Sequence, residues 1–206
     1  MTPEQARAYC AERCDSAAMV RFAEFVDMLA SENERQNLVS AASLADAWTR
    51  HIADSIQLLD YVSRETSPWL DMGTGAGFPG LVIALARPDL EVVLVESRKR
   101  RVEWLEQVCG RFQLSNCRVI GSRLETIESF PAAVISARAF APLAKLLRLS
   151  SRFSTPDTTW LLPKGRSGAQ ELQEQSTSVQ AMFHVEQSAT DAEAAIIIGH
   201  GRPPES

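Results

Sequence analysis

No apolar run in this chain approaches the roughly 18–20 residues that cross a bilayer as a helix, so no membrane span is expected. Met1-Thr2-Pro3-Glu4-Gln5 offers neither the basic start nor the apolar core of a secretory signal, and none is expected there. The four cysteines, Cys10, Cys14, Cys109 and Cys117, make no C-x-x-C pair and have no histidine at metal-ligand spacing. Reduced thiols, a cytoplasmic setting and no metal site are the corresponding expectations. An excess of positive charge is missing as well. The 21 Lys and Arg face 26 Asp and Glu, a net charge of −5, which as a bare sum argues against a nucleic-acid partner.

The distribution of charge argues the other way. Residues 87–166 carry 14 Lys/Arg against 8 Asp/Glu, whereas residues 1–86 carry 6 against 12 and residues 167–206 carry 1 against 6. A phosphate backbone responds to the local field and not to the global sum. Solvated helix faces explain much of the same clustering. If an RNA binds, the basic middle must face it, with the acidic N- and C-terminal regions turned away.

At 206 residues, 45% hydrophobic and 23% charged, the chain suits one globular domain with a modest extension. Residues 3–65 read as helical. Ala18, Phe22, Phe25, Val26 and Leu29 recur at helical spacing, and a second helix, capped by Ser43, runs to about Val62. From Trp69 onward short apolar runs alternate with helical stretches. Strands are predicted at Trp69–Met72, Glu91–Glu96, Cys117–Ile120, Ala133–Ser136, Thr158–Leu162, Met182–Gln187 and Ala194–Ile198. Helices are predicted at Gly80–Ala86, Arg98–Phe112, Leu143–Phe153 and Ala169–Thr177. This alternation implies an α/β fold with a mostly parallel sheet. The last two strands leave no room for a helix between them, so a C-terminal antiparallel hairpin is expected. The division is 1–66, a helical extension packed on the main domain, and 67–206, the main domain. The tail from Gly201 to Ser206 should fray.

The densest signal is Asp71-Met72-Gly73-Thr74-Gly75-Ala76-Gly77-Phe78-Pro79-Gly80, which follows a short strand and opens a helix. Glycines at such a turn bring bare backbone N–H groups against a ligand. A dinucleotide fingerprint would need its third glycine at position 78, where Phe78 stands, so a nicotinamide cofactor is disfavoured. G-x-G-x-G after an acidic strand end is instead the loop typical of S-adenosylmethionine-dependent methyltransferases. The fold expected is therefore the Rossmann-like sheet of class I methyltransferases. A glycine turn with no ligand is the bland alternative.

Ligands of open parallel sheets lie beyond the carboxyl ends of the strands. Glu96, ending Val92-Val93-Leu94-Val95, is positioned to accept ribose hydroxyls, or to cap the following helix, or both. Leu124 and Glu125, in Ser122-Arg123-Leu124-Glu125, are candidates to border an adenine. Ser136-Ala137-Arg138-Ala139-Phe140-Ala141-Pro142 supplies an arginine and an aromatic where amino-group methylating enzymes carry Asn-Pro-Pro-Tyr or acidic motifs. A ring nitrogen such as guanine N7 offers an in-plane lone pair and needs no base, only alignment and exclusion of water. Arg138 is equally readable as a phosphate clamp or a packed arginine. Lys164-Gly165-Arg166 offers phosphate contacts or plain loop charge. His51, Asp54 and Ser55 lie on one helix and cannot form a nucleophile–base–orienter chain, so a structural role is expected of them.

With these residues together, the chain resembles the RsmG (GidB) family, the 16S rRNA guanine-N7 methyltransferases. The resemblance runs from about Asn37 to Gly165 through Asn37-Leu38, Arg50-His51-Ile52-Ala53-Asp54-Ser55, the glycine run, Lys99-Arg100-Arg101, Ser122-Arg123-Leu124-Glu125, Arg138-Ala139-Phe140-Ala141 and Lys164-Gly165. It implies methyl transfer from S-adenosylmethionine to N7 of one guanine in the 530 loop of 16S rRNA, presented as RNA or as a small-subunit particle. A monomer is expected, though the sequence leaves the oligomeric state open. The resemblance implies cofactor contacts from Gly73, Phe78, Leu124, Glu125 and Arg138, to which the glycine loop and strand end add Gly75, Gly77 and Glu96. Arg123, Arg138 and Lys164 then lie near the RNA, with Arg166 beside them, and Arg138 and Arg123 are the residues expected at the reacting centre. A small-molecule methyltransferase, a methyltransferase for another RNA, or a cofactor-binding regulator without activity share most of these features.

Overall fold

In the computed structural model, which describes residues 1–204, seven strands form one sheet in the order β3-β2-β1-β4-β5-β7-β6. The strands are β1 (Trp69–Met72), β2 (Val92–Glu96), β3 (Cys117–Gly121), β4 (Val134–Ser136), β5 (Thr159–Lys164), β6 (Phe183–Gln187) and β7 (Ala195–His200). β1 through β5 run parallel, and β7 lies antiparallel between β5 and β6. The mostly parallel sheet with its C-terminal antiparallel hairpin is as the sequence implies. The helices are α1 (Pro3–Ala11), α2 (Ser16–Asn33), α3 (Ala41–Ala45), α4 (Asp54–Ile56), α5 (Gly80–Ala86), α6 (Lys99–Phe112), α7 (Leu143–Ser150), α8 (Gly168–Gln173) and α9 (Thr177–Gln180).

Strand alternation sorts the apolar residues into two layers. Val92 and Leu94 of β2 face one core with α5 and α6; Val93 and Val95 face the other with α7, Leu172 and Val179. Buried residues of the N-terminal helices, Ala6, Phe22, Phe25, Leu29 and Ile52 among them, belong to the first core together with Leu81 and Trp104. The sheet is thus covered on both faces, as a parallel sheet requires.

Three expectations are corrected. Ser40, not Ser43, caps the helix after the polar link: its hydroxyl accepts from the Ser43 N–H at 3.2 Å. The helix predicted to run unbroken to Val62 ends at Ala45, because Asp46 leaves helical geometry, and the chain resumes as a π-helix over Trp48–Ala53. That wide turn re-aims Arg50 and His51, and π segments recur at functional sites. The C-terminal stretch is tied down as far as Arg202: Gly201 N–H donates to Thr158 O, its carbonyl accepts from Trp160 Nε1, and Arg202 donates to Ser154 O. Glu205 and Ser206 of the tail expected to fray lie outside the described residues.

Candidate functional site

Strand order reverses between β1 and β4, so the crevice at their carboxyl ends is where a ligand belongs. Two cavities open there. The smaller, about 320 Å³, is lined by Gly73 after β1, Glu96 to Arg98 after β2, Ser122 to Glu125 after β3, and Ala139 to Ala141 after β4. Glu96 is buried, with Oε2 accepting from Gly75 N–H at 3.1 Å and Oε1 accepting from the N–H groups of Ser97 and Arg98 at 2.7 and 2.8 Å. It therefore holds the glycine loop to the turn that opens α6, while its carboxylate still lines the cavity. Among the glycines only Gly73 lines this space. Its φ of +63° suits glycine, and an added Cβ would lie 2.3 Å from Phe140 Cδ2. Gly77 does not line it; there a Cβ would strike Leu81 at 2.7 Å, so that glycine serves the packing of α5.

The size, the positive-φ glycine and the buried carboxylate fit a nucleoside bearing an amino-acid tail, the shape of S-adenosylmethionine. Glu96→Ala removes a charge-assisted acceptor, so affinity for S-adenosylhomocysteine should fall by about ten- to hundredfold, roughly 1.5–3 kcal/mol. Calorimetry on the folded variant checks this, and an unchanged Kd would leave Glu96 with its loop-holding bonds alone.

Asp71, at the end of β1, does not reach either cavity. It is fully buried; Oδ1 accepts from Ser136 Oγ at 2.7 Å and Oδ2 accepts from Gly80 N–H at 3.0 Å. Register brings this about, since Asp71 stands opposite Ser136 across the β1–β4 pair. The carboxylate thus ties β1 to β4 and to the first turn of α5. Burial raises its pKa to about 6, against those hydrogen bonds.

The larger cavity, about 1200 Å³, is organised by Arg138. Its NH1 donates to Arg50 O at 3.0 Å and Asp54 Oδ2 at 3.2 Å, and its NH2 donates to His51 Nδ1 at 3.1 Å. Arginine has only donors, so Nδ1 accepts and the imidazole proton sits on Nε2. The His51 ring stacks on Phe78 at 4.4 Å between centroids and 11° between planes, and the Arg138 guanidinium lies 4.8 Å from the same ring centre. Phe78 is consequently a buried platform beneath His51 and Arg138, outside the lining of either cavity, and Arg138 lines the larger cavity only. Arg123 is exposed on the smaller one, so the two arginines expected at one centre stand on opposite sides of residues 139–141. Phe140 lines both spaces.

Burial, followed by the charge of Arg138, lowers the His51 pKa from 6.5 to about 3. A histidine kept neutral when folded stabilises fully above pH 6.5, and that stability drains as pH falls from 6.5 toward 3. Between pH 6.5 and about 5 the loss is about 2 kcal/mol. Asp71 acts in the opposite sense: its raised value makes stability fall as pH rises between 3.8 and about 6. The comparison of His51→Phe with the parent therefore isolates His51. Urea unfolding across this range should give the variant a flatter acid limb, and equal slopes would contradict the assignment.

The acidic termini do not turn away, contrary to the expectation from charge distribution. Every cation lining the large cavity meets a carboxylate: Arg138 with Asp54 at 3.2 Å, Lys164 with Glu171 at 2.7 Å, Arg50 with Asp191 at 2.5 Å, and Arg166 with Glu193. All four carboxylates come from the N- and C-terminal regions, 1–86 and 167–206, that were expected to face away from the RNA. Lys164 also donates to Ala141 O, and its side chain is 11% exposed, so it braces the loop after β4 against α8. Arg98, Arg123 and Lys145, on the rim of the smaller cavity, form no ion pair among the described residues. The pairings of Asp54, Asp191 and Glu193 could not be found from spacing, because their arginine partners lie 84, 141 and 27 positions away. Phe140 belongs to the run Arg138-Ala139-Phe140-Ala141, but nothing local marks it as the wall between two cavities. No group of three or more His, Cys, Asp or Glu that could hold a metal ion occurs among the described residues, and none of their helices is long and apolar enough to cross a membrane.

Comparison with known proteins bears on family and fold. The family described as rRNA small subunit methyltransferase G (GidB) matches residues 19–196. The Ribosomal RNA small subunit methyltransferase G of Erythrobacter litoralis is 64% identical over 201 residues, 98% of this chain and 97% of that protein. The protein of the same name from Novosphingobium aromaticivorans is 57% identical over 204 residues, 97% of this chain and 88% of its own. Among solved structures, a SAM-dependent methyltransferase from Aquifex aeolicus superimposes with a TM-score of 0.55 at 14% identity, covering 72% of this chain and 89% of that one. At that identity the likeness is one of fold.

Proposed function

The chain belongs to the rRNA small subunit methyltransferase G (GidB) family, and from that premise we propose that it methylates N7 of one guanine in the 530 loop of 16S rRNA. It is an S-adenosylmethionine-dependent methyltransferase of small-subunit rRNA; the loop and the ring nitrogen are the finer part of the reading. The observation that carries it is the pair of cavities meeting at Phe140 on the β1–β4 switch point, a smaller one sized for a cofactor and a larger one with room for a segment of RNA. S-adenosylmethionine, when bound, supplies an electrophilic methyl group. Gly73, Glu96, Leu124 and Glu125 would hold it in the smaller cavity, with Gly75 and Gly77 shaping the loop behind Gly73.

The larger cavity favours a ring nitrogen over an amine. Removing a proton from an exocyclic amine needs a free acceptor. Asp54, the carboxylate beside Arg138, is engaged by Arg138 on Oδ2 and by Gln57 and Thr190 on Oδ1. The other three carboxylates of the cavity are each held by a cation. Guanine N7 asks for none of them. Its methylation leaves a positive charge on the purine, and four cations balanced by four carboxylates set no net positive field against it. Arg138, held by Asp54 and His51 beside Phe78, supplies guanidinium donors that can orient a guanine edge while Phe140 excludes water. Residues 1–66 enter this reading as part of the substrate site, through Arg50, His51 and Asp54.

Purified protein should transfer a labelled methyl group from S-adenosylmethionine to small-subunit rRNA from cells lacking the enzyme. Borohydride and aniline cleavage, which breaks the chain at N7-methylguanosine, should then map one position in the 530 loop. Methyl transfer to an exocyclic amine would overturn the ring-nitrogen reading, and no transfer to RNA would overturn the whole.

A further inference from the structure

Of the four ion pairs in the large cavity, two are deep and two are at its mouth. Lys164 and Arg138 have side chains 11% and 22% exposed, whereas Arg50 and Arg166 are 52% and 77% exposed. Both outer arginines are met by one short loop, residues 188–194 between β6 and β7. Asp191 reaches Arg50 on the N-terminal π-helix, and Glu193 reaches Arg166 on the loop before α8. Exposed pairs contribute little to stability, so holding the fold is a poor account of two of them on one loop.

The loop is preformed. Gln187 Nε2 donates to the carbonyls of Asp191, Ala192 and Ala194 at 3.3, 3.0 and 2.8 Å, and Asp191 Oδ1 accepts from Glu193 N–H at 2.9 Å. Gln57 Oε1 accepts from Ala189 N–H, and Thr190 Oγ1 donates to Asp54. The Glu193 N–H and then the Arg50 guanidinium hold the Asp191 carboxyl below its ordinary range, so it stays charged wherever the protein works. Fixed carboxylates facing two outer arginines have the anionic oxygens and spacing to arginine that RNA phosphates would present.

We propose that Asp191 and Glu193 are specificity-determining residues that stand in for RNA phosphates at Arg50 and Arg166 in the free protein. The proposal rests on the large cavity being the rRNA site. Any polyanion entering the cleft must displace both carboxylates and then lie beside them. Only an RNA that also seats a base against Arg138 and His51 recovers that cost. An acidic protein thereby discriminates among RNAs by suppressing sequence-independent phosphate binding, the dominant non-specific contribution.

The test is Asp191→Asn with Glu193→Gln, which keeps side-chain size and the Asp191 acceptor but removes both charges; each single variant should show an intermediate effect. Fluorescence anisotropy over a salt series would use a 16S rRNA fragment containing the 530 loop and a scrambled RNA of equal length. The scrambled RNA should bind about tenfold tighter to the double variant and the cognate fragment only about threefold tighter, narrowing discrimination. The log–log salt slope should steepen by about 0.7–0.9 for each arginine released. Equal tightening of both RNAs would overturn the specificity role. Unchanged affinities and slope in variants that still methylate rRNA would overturn the proposal alone. If parent and variant both fail to bind RNA, the reading of the cleft as the rRNA site fails with it.

Discussion

Replacing Arg138 by alanine should lower methylation of small-subunit rRNA by at least about a hundredfold and reduce stability by about 2–3 kcal/mol. The stability figure lies between exposed and fully buried pairs, because the Arg138 and Asp54 side chains are 22% and 18% exposed. Truncation strands the Asp54 carboxylate, removes the donor to His51 Nδ1 and uncovers part of the Phe78 face. Loss of activity in this variant alone would not separate misfolding from loss of a substrate contact. Adding Asp54→Asn to Arg138→Ala should separate them. Without the stranded charge, stability should return to within about 1 kcal/mol of the parent while methylation stays absent. Urea unfolding and a labelled-methyl assay on the single and double variants check this. Activity returning together with stability would reduce Arg138 to a packing role. Because Arg138 lines the large cavity and not the small one, affinity for S-adenosylhomocysteine should be nearly unchanged in the double variant.

Gly73→Val should abolish measurable cofactor binding, a fall of more than about a hundredfold. Two independent causes combine. A φ of +63° is strained for a β-branched residue, and the new Cβ would lie 2.3 Å from the Phe140 ring, at the boundary of the small cavity. Adding Phe140→Ala removes the clash but not the backbone strain, so thermal stability should be partly restored. Cofactor affinity should not recover, since valine still stands in the cavity. Calorimetry with S-adenosylhomocysteine on folded protein is the measurement. Parent-like binding by folded Gly73→Val would place the cofactor elsewhere.

The elements of the main sheet were legible because each is marked by its own residues. Val92 to Val95 form a continuous apolar run ending in Glu96, and the glycine run after Met72 admits few conformations besides a tight strand-to-helix turn. The antiparallel ending followed from chain length alone, since a parallel return needs a crossover for which residues 188–194 leave no room. The errors lay where neighbouring residues compete for one role. Ser40 and Ser43 can each cap a helix, and only the path of the chain out of α2 selects Ser40. A π-helix differs from an α-helix by one hydrogen-bond register, which side-chain periodicity over six residues does not resolve.

The sequence by itself determined the fold class, the cofactor loop, the Glu96 strand end and the loops from which the site is built, because those depend on short-range pattern. Only the tertiary structure decided what those residues touch. It put Phe78 under His51 and out of the lining of either cavity, separated Arg123 from Arg138, and made Phe140 the wall between two cavities. It also set Asp54, Glu171, Asp191 and Glu193 on the four cations of the cleft. The physical reason is that charge acts through space. Arg50 and Asp191 are 141 residues apart along the chain and 2.5 Å apart in the fold, so a count of charges along the sequence could locate the basic segment but not its counter-ions.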